Sequence, residues 1–86
     1  MGNNVVRVRL YGSFRAIVKK AEMIVESDCL GTLLSTLKRS YPDLAKLIDS
    51  EGFVVLVNEK PVPLSNLSLR LSSEDVVDLL PIISGG

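Results

Sequence analysis

Residues 30–41 read LGTLLSTLKRSY, and this stretch carries the clearest periodic pattern in the chain. Its apolar side chains recur at intervals of three and four and form one stripe: Leu30, Leu33, Leu34, Leu37 and Tyr41. This spacing predicts an amphipathic helix that packs one face on a core. Asp28, just before the stripe, is suited to cap the helix and to interact with the positive end of its dipole. Pro42 is expected to stop or kink this helix, and the apolar residues of 44–48 indicate one or two further turns.

Two strands are predicted before this helix. Residues 5–11 (VVRVRLY) alternate apolar and polar side chains, and residues 21–26 (AEMIVE) show a similar period of two, as half-buried strands do. The connection 13–20 is predicted to form a short helix with Ser13 as its N-cap. Strands joined this closely are expected to pair antiparallel. Two basic residues of the first strand would then face two acidic residues of the second: Arg7 and Arg9 opposite Glu22 and Glu26.

Three more strands are predicted after the helices. Residues 53–57 (FVVLV) are apolar throughout and indicate a central strand, followed by a turn at 58–61 and a short edge strand at 62–64. Residues 76–80 (VVDLL) form the last strand, which Pro81 ends. Its core-facing residues are expected to be Val77 and Leu79, and its outward-facing residues Val76, Asp78 and Leu80. Three leucines of the preceding connection are expected to point inward: Leu67, Leu69 and Leu71.

This order of elements predicts an α+β fold in which a mixed sheet packs against one main helix. The ubiquitin-like β-grasp arrangement fits the order best. A chain of 86 residues supports one compact core, so a single domain is expected. We assign residues 1–81 to the β-grasp domain and residues 82–86 to a flexible C-terminal tail that ends in Gly-Gly.

The composition restricts the chemistry that the chain can perform alone. It contains no histidine, one cysteine, and ten basic against ten acidic residues. A Cys/His nucleophile pair is therefore impossible, and neither zinc-ligand spacing nor a glycine-rich phosphate loop is present. Balanced charge argues against binding to nucleic acid or an anionic membrane. With no signal segment or apolar run of membrane-spanning length, we expect a soluble cytoplasmic protein without a bound metal or cofactor and without an independent catalytic site.

Two features each allow two interpretations. Residues 1–20 carry basic side chains without an acid, and residues 71–86 carry acidic side chains without a base. These charges are either solvated faces and cross-strand pairs or a polarised surface for an acidic partner. The single cysteine, Cys29, is either a small packing residue or a thiol-exchange site at a helix N-terminus.

The sequence ends in Ser84, Gly85 and Gly86, directly after the last predicted strand. Glycine has no side chain and reaches backbone conformations closed to other residues, so such a tail can thread a narrow channel in another protein. The carboxylate of Gly86 would then be the group delivered. A carboxylate becomes an acyl donor once it is adenylated, and the ATP and Mg²⁺ for that step would be used by an activating partner. The alternative is a frayed, dispensable terminus.

These residues resemble the MoaD family, the small subunit of molybdopterin synthase, within the ThiS/MoaD group of ubiquitin-like sulfur carriers. Four stretches carry the resemblance: VRVRLYGSFRAIVKK at 6–20, LLSTLKRSYP at 33–42, VVLVNEKPV at 54–62 and SSEDVVDLLPIISGG at 72–86. The chain departs from the family at 73–76, where Gly-Asp-Glu-Val is frequent, and at 79–82, where two aromatics and two prolines are frequent. The departures keep the hydrophobic character but remove aromatic anchors.

The resemblance implies a mechanism and a set of partners. An E1-like enzyme would adenylate the Gly86 carboxylate, and a sulfur donor such as a sulfurtransferase would convert it to a thiocarboxylate. The tail would then enter the large subunit of molybdopterin synthase, in a heterotetramer, and give sulfur to a pterin precursor of the molybdenum or tungsten cofactor. The resemblance also implies the residues that contact partners: Tyr11, Arg15, Leu80, Ile82 and Ile83.

Other functions share these features. The activated Gly86 could instead form isopeptide bonds with lysines of target proteins, as a protein modifier does. A carrier for thiazole synthesis is a further possibility, although such relatives tend to be shorter than this chain. A binding module with an idle tail is the remaining alternative, and in that case deletion of Gly85 and Gly86 would change nothing.

Overall fold

Helices and strands occur where the periodic patterns place them. The computed structural model describes residues 4–82 of the chain. In chain order the elements are β1 Val5–Leu10, α1 Gly12–Val18, β2 Glu22–Glu26, α2 Leu30–Ser40, α3 Pro42–Asp49, β3 Phe53–Val57, β4 Lys60–Val62 and β5 Val76–Pro81. The strands form one sheet in the order β2-β1-β5-β3-β4, in which β1 and β5 are parallel and the other neighbours are antiparallel. The predicted α+β architecture with a mixed sheet is therefore confirmed.

The core lies between the sheet and the helices because side chains alternate along each strand. On β1, Val6, Val8 and Leu10 are almost completely buried, whereas their neighbours point to the other face. The apolar stripe of α2 covers the buried face, as its spacing predicts, and burying each of its leucines stabilises the fold by about 1.5–3 kcal/mol. The core also includes an edge-to-face contact between Phe14 and Phe53, whose ring centroids are 5.4 Å apart.

Pro42 ends one helix and begins the next. It occupies the first turn of α3, where the proline ring has no hydrogen bond to disrupt, and Leu44 and Ile48 of α3 are buried. The prediction of further helical turns at 44–48 is confirmed as a separate eight-residue helix.

Both predicted N-caps are wrong. Helix α1 begins at Gly12 and not after Ser13, because the extended backbone of Tyr11 carries β1 directly into the helix and its carbonyl accepts the Phe14 N–H at 3.1 Å. Helix α2 has Cys29, and not Asp28, at its N-cap position, without a side-chain cap hydrogen bond. Helix α1 therefore starts two residues before, and helix α2 one residue after, the position that the polar side chain suggests.

The predicted charge pairs across β1 and β2 are partly correct. Arg7 and Glu22 are 4.0 Å apart, with both side chains more than half exposed. Such an exposed pair contributes about 0–1 kcal/mol to stability. Arg9, which lies opposite Glu22, instead forms its ion pair with Asp78 on the other neighbouring strand. Arg9 thus faces Glu22 as predicted, but its ion pair is with Asp78, because β1 has a neighbour on each side and β5 offers the closer carboxylate.

The edge strand and the connection after it differ from the prediction. Strand β4 spans Lys60–Val62, so it starts and ends earlier than the predicted 62–64. Leu71 is buried and Leu69 is half-buried, but Leu67 is 47% exposed, so its predicted inward position is wrong. The carbonyl of Leu67 instead accepts the Gly31 N–H at 2.8 Å and ties the connection to the start of α2.

Candidate functional site

The helices of residues 4–82 lie on one face of the sheet, and we call the other face the open face. It carries alternate residues of the three central strands: Arg7 and Arg9 of β1, Val54 and Leu56 of β3, and Val76, Asp78 and Leu80 of β5. Strand β5 ends at Pro81, so one end of the open face adjoins the point where the chain continues toward Gly86. This end is the candidate functional site.

Four apolar residues form the exposed surface at this end, and we call them the tail-side patch: Tyr11, Val54, Leu80 and Ile82. Tyr11 follows β1, and its N–H donates to the Leu79 carbonyl at 3.2 Å. Leu80 pairs with Val54 across β5 and β3. The N–H of Ile82 donates to the carbonyl of Gly52 at 2.9 Å, which extends the strand pairing past Pro81.

The tail-side patch presents apolar area to solvent. Tyr11 and Val54 are each 39% exposed, Ile82 is 56% exposed and Leu80 is half-buried. Single exposed apolar residues are common on protein surfaces, but a contiguous apolar patch is typical of a partner-binding surface. Tyr11 contributes the one polar side-chain group of the four residues, and the apolar character of the patch suits it to binding.

Gly12 brings α1 against the last residue of β5. Its φ of +55° is a left-handed conformation that suits glycine, and a Cβ at this position would lie 2.6 Å from Cγ of Pro81. This close approach sets the N-terminal turn of α1 beside the tail-side patch. Arg15 is exposed on that helix.

The structure thus brings four of the predicted partner-contact residues to one end of the sheet: Tyr11, Arg15, Leu80 and Ile82. Their contact with a partner stays a prediction. Ile83, Ser84, Gly85 and Gly86 lie outside the described residues. Sequence reasoning missed Val54 because a strand that is apolar throughout does not reveal which of its residues face the open side. It also missed Gly12, whose only signal was a glycine between a strand and a helix.

Asp78 and Arg9 form an ion pair on the open face next to the patch. Asp78 lies on this face, as predicted, but it is only 3% exposed because Arg9 covers it. Asp78 therefore faces outward as predicted, but it is covered by Arg9 and buried from solvent. Its hydrogen bonds and its charge raise the pKa of Arg9 further above the ordinary arginine value, so Arg9 stays charged. The ion pair therefore borders the apolar tail-side patch with charged groups.

Cys29 lies beyond the opposite end of the sheet. It follows β2, whose last residue Glu26 pairs with the first residue of β1. Its Sγ is 3.2 Å from Oγ1 of Thr32, and hydrogen bonds from Thr32 lower the pKa of the half-buried thiol. The structure therefore separates this thiol from the tail-side patch by the length of the sheet.

The described part of the chain contains no candidate metal site and no candidate membrane-spanning helix. Within residues 4–82 there is no group of three or more cysteine, aspartate and glutamate side chains that could hold a metal ion. In the same range, the helices are too short and too polar to cross a membrane.

Comparisons with solved structures identify the fold. Small archaeal modifier protein 1 from Methanosarcina acetivorans is similar with a TM-score of 0.85 and 23% identity over the whole of both chains. Urm1 from Trypanosoma brucei is similar with a TM-score of 0.72 and 23% identity over 100% of this chain and 99% of that one. These similarities confirm the ubiquitin-like β-grasp fold.

A third similar structure contains a partner chain. It is the complex of subunits 1 and 2 of the molybdopterin-converting factor from Helicobacter pylori, with a TM-score of 0.68 and 23% identity over 95% of this chain and 99% of that one. In that structure, a chain with this fold is in complex with a partner subunit.

The sequence itself gives the family. No curated protein matches the chain in a sequence search. The sequence model of the ThiS family matches residues 8–86, which is nearly the whole chain and includes the closing glycines. The chain therefore belongs to the ThiS family, the ubiquitin-like group of sulfur carriers that includes ThiS- and MoaD-like proteins.

Proposed function

We propose that this chain is a sulfur carrier for molybdopterin synthesis, with its chemistry at the carboxylate of Gly86. The observation that carries the proposal is the tail-side patch, an exposed apolar surface directly beside the segment that leads to Gly85 and Gly86. A ThiS-family chain with such a surface has the two parts that a carrier needs, a docking face and a small terminal group.

The activation takes place on a partner. An E1-like enzyme uses ATP and Mg²⁺, and the Gly86 carboxylate attacks the α-phosphate, so that pyrophosphate leaves and an acyl adenylate forms. The outer sulfur of a sulfurtransferase persulfide then attacks the acyl carbon and AMP leaves. A thiol cleaves the resulting acyl disulfide, which releases the thiocarboxylate and leaves a disulfide on the sulfurtransferase. The thiocarboxylate is ionised at neutral pH and is a better nucleophile than a carboxylate, so it can transfer sulfur to a pterin precursor held by a large synthase subunit.

The described residues provide the docking surface, and its position limits how far from that surface the terminal carboxylate can reach. The tail-side patch ends at Ile82, and four residues, 83–86, separate it from the terminal carboxylate. A fully extended chain of four residues spans at most about 14 Å. The reacting group of a partner must therefore lie within about 14 Å of the edge of the surface that contacts the patch. This distance is a geometric requirement for both the activating enzyme and the synthase.

The proposal is tested by pyrophosphate exchange with the purified E1-like enzyme from the same organism. The native-ended chain should support exchange, whereas Gly86→Ala and a variant with one residue added after Gly86 should not. Thermal unfolding serves as the control, because neither change alters the buried core and the melting temperature should stay the same. Full exchange with either variant would contradict the proposal.

A second candidate is a protein modifier that joins Gly86 to lysines of other proteins. The structural similarity to small archaeal modifier protein 1 favours it, although at 23% identity this similarity concerns the fold. Both functions start from the same adenylate, so pyrophosphate exchange does not separate them. Isopeptide-linked Gly-Gly remnants on lysines of other proteins, absent after deletion of this chain, would identify the modifier.

A further inference from the structure

Three cations lie together beside the tail-side patch, and we call them the α1 cluster: Arg15, Lys19 and Lys20. All three side chains are exposed, and they line one shallow depression together with Gly12 and Ala16. Lys19 ends α1 in a left-handed conformation with φ +66°, and its N–H donates to the carbonyl of Arg15 at 2.7 Å. This turn holds the three charges within one short segment of the surface.

The α1 cluster has no partner among the described carboxylates. Within residues 4–82, the ion pairs are those of other cations: Arg7 with Glu22, Arg9 with Asp78, and Lys38 with Asp49. Three neighbouring positive charges without a counter-charge repel one another, and an acidic surface placed over them would relieve that repulsion. The cluster is therefore electrostatically complementary to an acidic partner.

The charges of the molecule are distributed unevenly between the two ends of its sheet. The chain is neutral overall, and four acidic residues lie at the opposite end of the sheet: Glu26, Glu59, Glu74 and Asp75. The α1 end has fewer, namely Glu22, which pairs with Arg7, and Glu51. The positive end is the one at which Gly12 contacts Pro81 and the chain continues toward Gly86. A partner that is acidic around its channel would thus orient the carrier with its tail foremost.

We propose that the α1 cluster docks on an acidic surface of the activating enzyme beside the adenylation channel and steers the tail into it. This inference rests on the proposed function and adds the chemistry of the partner surface. The electrostatics favour a protein over a nucleic acid, because the chain carries no net positive charge and the cluster comprises three cations, fewer than the six to ten phosphate contacts typical of strong nucleic-acid binding.

The experiment measures association of the full chain with its purified activating enzyme by stopped flow. The test variant is Lys19→Gln/Lys20→Gln, in which both changes lie on exposed side chains and remove no buried area. The matched control is Arg39→Gln/Lys60→Gln, which removes the same charge from exposed positions on α2 and β4. Rates are compared at about 0.01 M and about 0.15 M ionic strength, where the Debye length is about 30 Å and about 8 Å.

The test variant should associate about fivefold to tenfold more slowly than the wild type at the low ionic strength, with a weaker salt dependence. The control variant should associate at nearly the wild-type rate, and both should keep the wild-type melting temperature. Equal rates for the test variant and the wild type would overturn the inference while leaving the proposed function intact. Failure of the wild type to associate at all would overturn the proposed function and this inference together.

Two further results would assign a different binding partner to the α1 cluster. Binding of the wild-type chain to single-stranded RNA that is lost in the test variant, with an unchanged rate toward the enzyme, would show a nucleic-acid surface. Concentration-dependent self-association that is lost in the test variant, again with an unchanged rate, would show that the acidic end of a second copy occupies the cluster. Either result overturns the proposal.

Discussion

Arg9 of β1 and Asp78 of β5 lie directly opposite each other, and their side chains make a two-point ion pair. The distances are 2.5 Å from Nε to Oδ1 and 2.8 Å from Nη2 to Oδ2. The two partners differ in exposure, because the side chain of Asp78 is 5% exposed and that of Arg9 is 37% exposed. The carboxylate therefore depends on the guanidinium for compensation of its charge, whereas the guanidinium can also reach water.

This asymmetry predicts the order of stability among three variants. Arg9→Met leaves a buried carboxylate without its partner and should destabilise the fold more than Asp78→Asn, which leaves an arginine that water can solvate. The double variant Arg9→Met/Asp78→Leu should recover much of the loss, because replacing a buried ion pair by apolar side chains is often close to neutral. Urea unfolding measures all three. Equal losses in the two single variants would show that burial of Asp78 does not control the energetics.

Leu80 should contribute to partner binding more than to folding. Leu80→Asn places a polar amide at the centre of the tail-side patch and should weaken binding to the activating enzyme about tenfold or more, as central interface residues do. Asparagine is chosen because an acidic residue would lie near the carboxylate of Asp78. Titration calorimetry gives the affinity. The control is Ile24→Asn, on the exposed β2 edge and 59% exposed, which should leave the affinity unchanged.

A larger drop in melting temperature for Leu80→Asn than for a buried-core variant such as Leu33→Ala would contradict this account. Leu33 is fully buried, and truncating such a leucine costs about 2–5 kcal/mol.

Gly12 should resist substitution, whereas Gly52 should not. Gly12→Ala adds a methyl group that meets the ring of Pro81 in a left-handed backbone conformation, so we expect a loss of about 1–2 kcal/mol or more. At Gly52 the nearest atom to an added Cβ is Oγ of Ser50 at 3.5 Å, an ordinary contact, and Gly52→Ala should change stability little. Guanidinium unfolding of the two variants makes the comparison. A mild effect at Gly12 would show that the close contact with Pro81 is not required.

The turn between β3 and β4 contains a strained residue. Asn58 and Glu59 have φ values of +53° and +69°, as in a type I′ hairpin turn, and the second position of that turn favours glycine. Glu59→Gly should remove a strain of about 1–2 kcal/mol and lose part of the gain to the entropy of the unfolded chain, for a net stabilisation of about 0.5–1 kcal/mol. Thermal unfolding of the wild type and of Glu59→Gly measures this stabilisation. Glu59→Ala removes the same charge but keeps the strain, so an equal stabilisation by alanine would refute the explanation.

Asp75 should make the fold sensitive to acid. Its carboxylate accepts the Ser72 N–H at 2.8 Å and the Asn58 side-chain amide at 2.9 Å, and these bonds lower its pKa. A carboxylate whose pKa is lower in the folded state contributes stability above its unfolded pKa of about 3.9 and loses it as the pH falls through the folded value. Asp75→Asn should therefore be less stable at neutral pH and should show a flatter decline below about pH 4. Urea midpoints measured across this range would contradict the account if the two proteins declined in parallel.

The sequence predicted those parts of the fold that depend on periodicity. The alternation of β1 identifies its buried face because every second side chain of a strand faces the core. The stripe of α2 does the same for the helix, in which one side chain in every three to four faces the core. The helix starts were missed by two residues for α1 and by one for α2, because polar residues such as Ser13 and Asp28 are common near helix ends without forming the cap. The exposed Leu67 was missed because an irregular connection has no period from which burial can be read.

Only part of the candidate site could be predicted from the sequence. The tail of Gly85 and Gly86 followed from the chemistry of glycine, and the positions of Tyr11 and Leu80 followed from the resemblance to a family. The Arg9–Asp78 pair and the contact of Gly12 with Pro81 join residues nearly seventy positions apart, so they require the strand order and register. The pairing of β1 with β5 supplies both, and no local pattern in either strand reveals it.

The most direct test of the central claim is the intact mass of the chain and of its C-terminal peptide after purification from its own cells, without a tag at the C-terminus. The account predicts a fraction in which one oxygen of the Gly86 carboxylate is replaced by sulfur, and this fraction should disappear when the E1-like enzyme is deleted. An unmodified carboxylate in every fraction, under conditions in which the cells make molybdopterin, would contradict the assignment as a sulfur carrier.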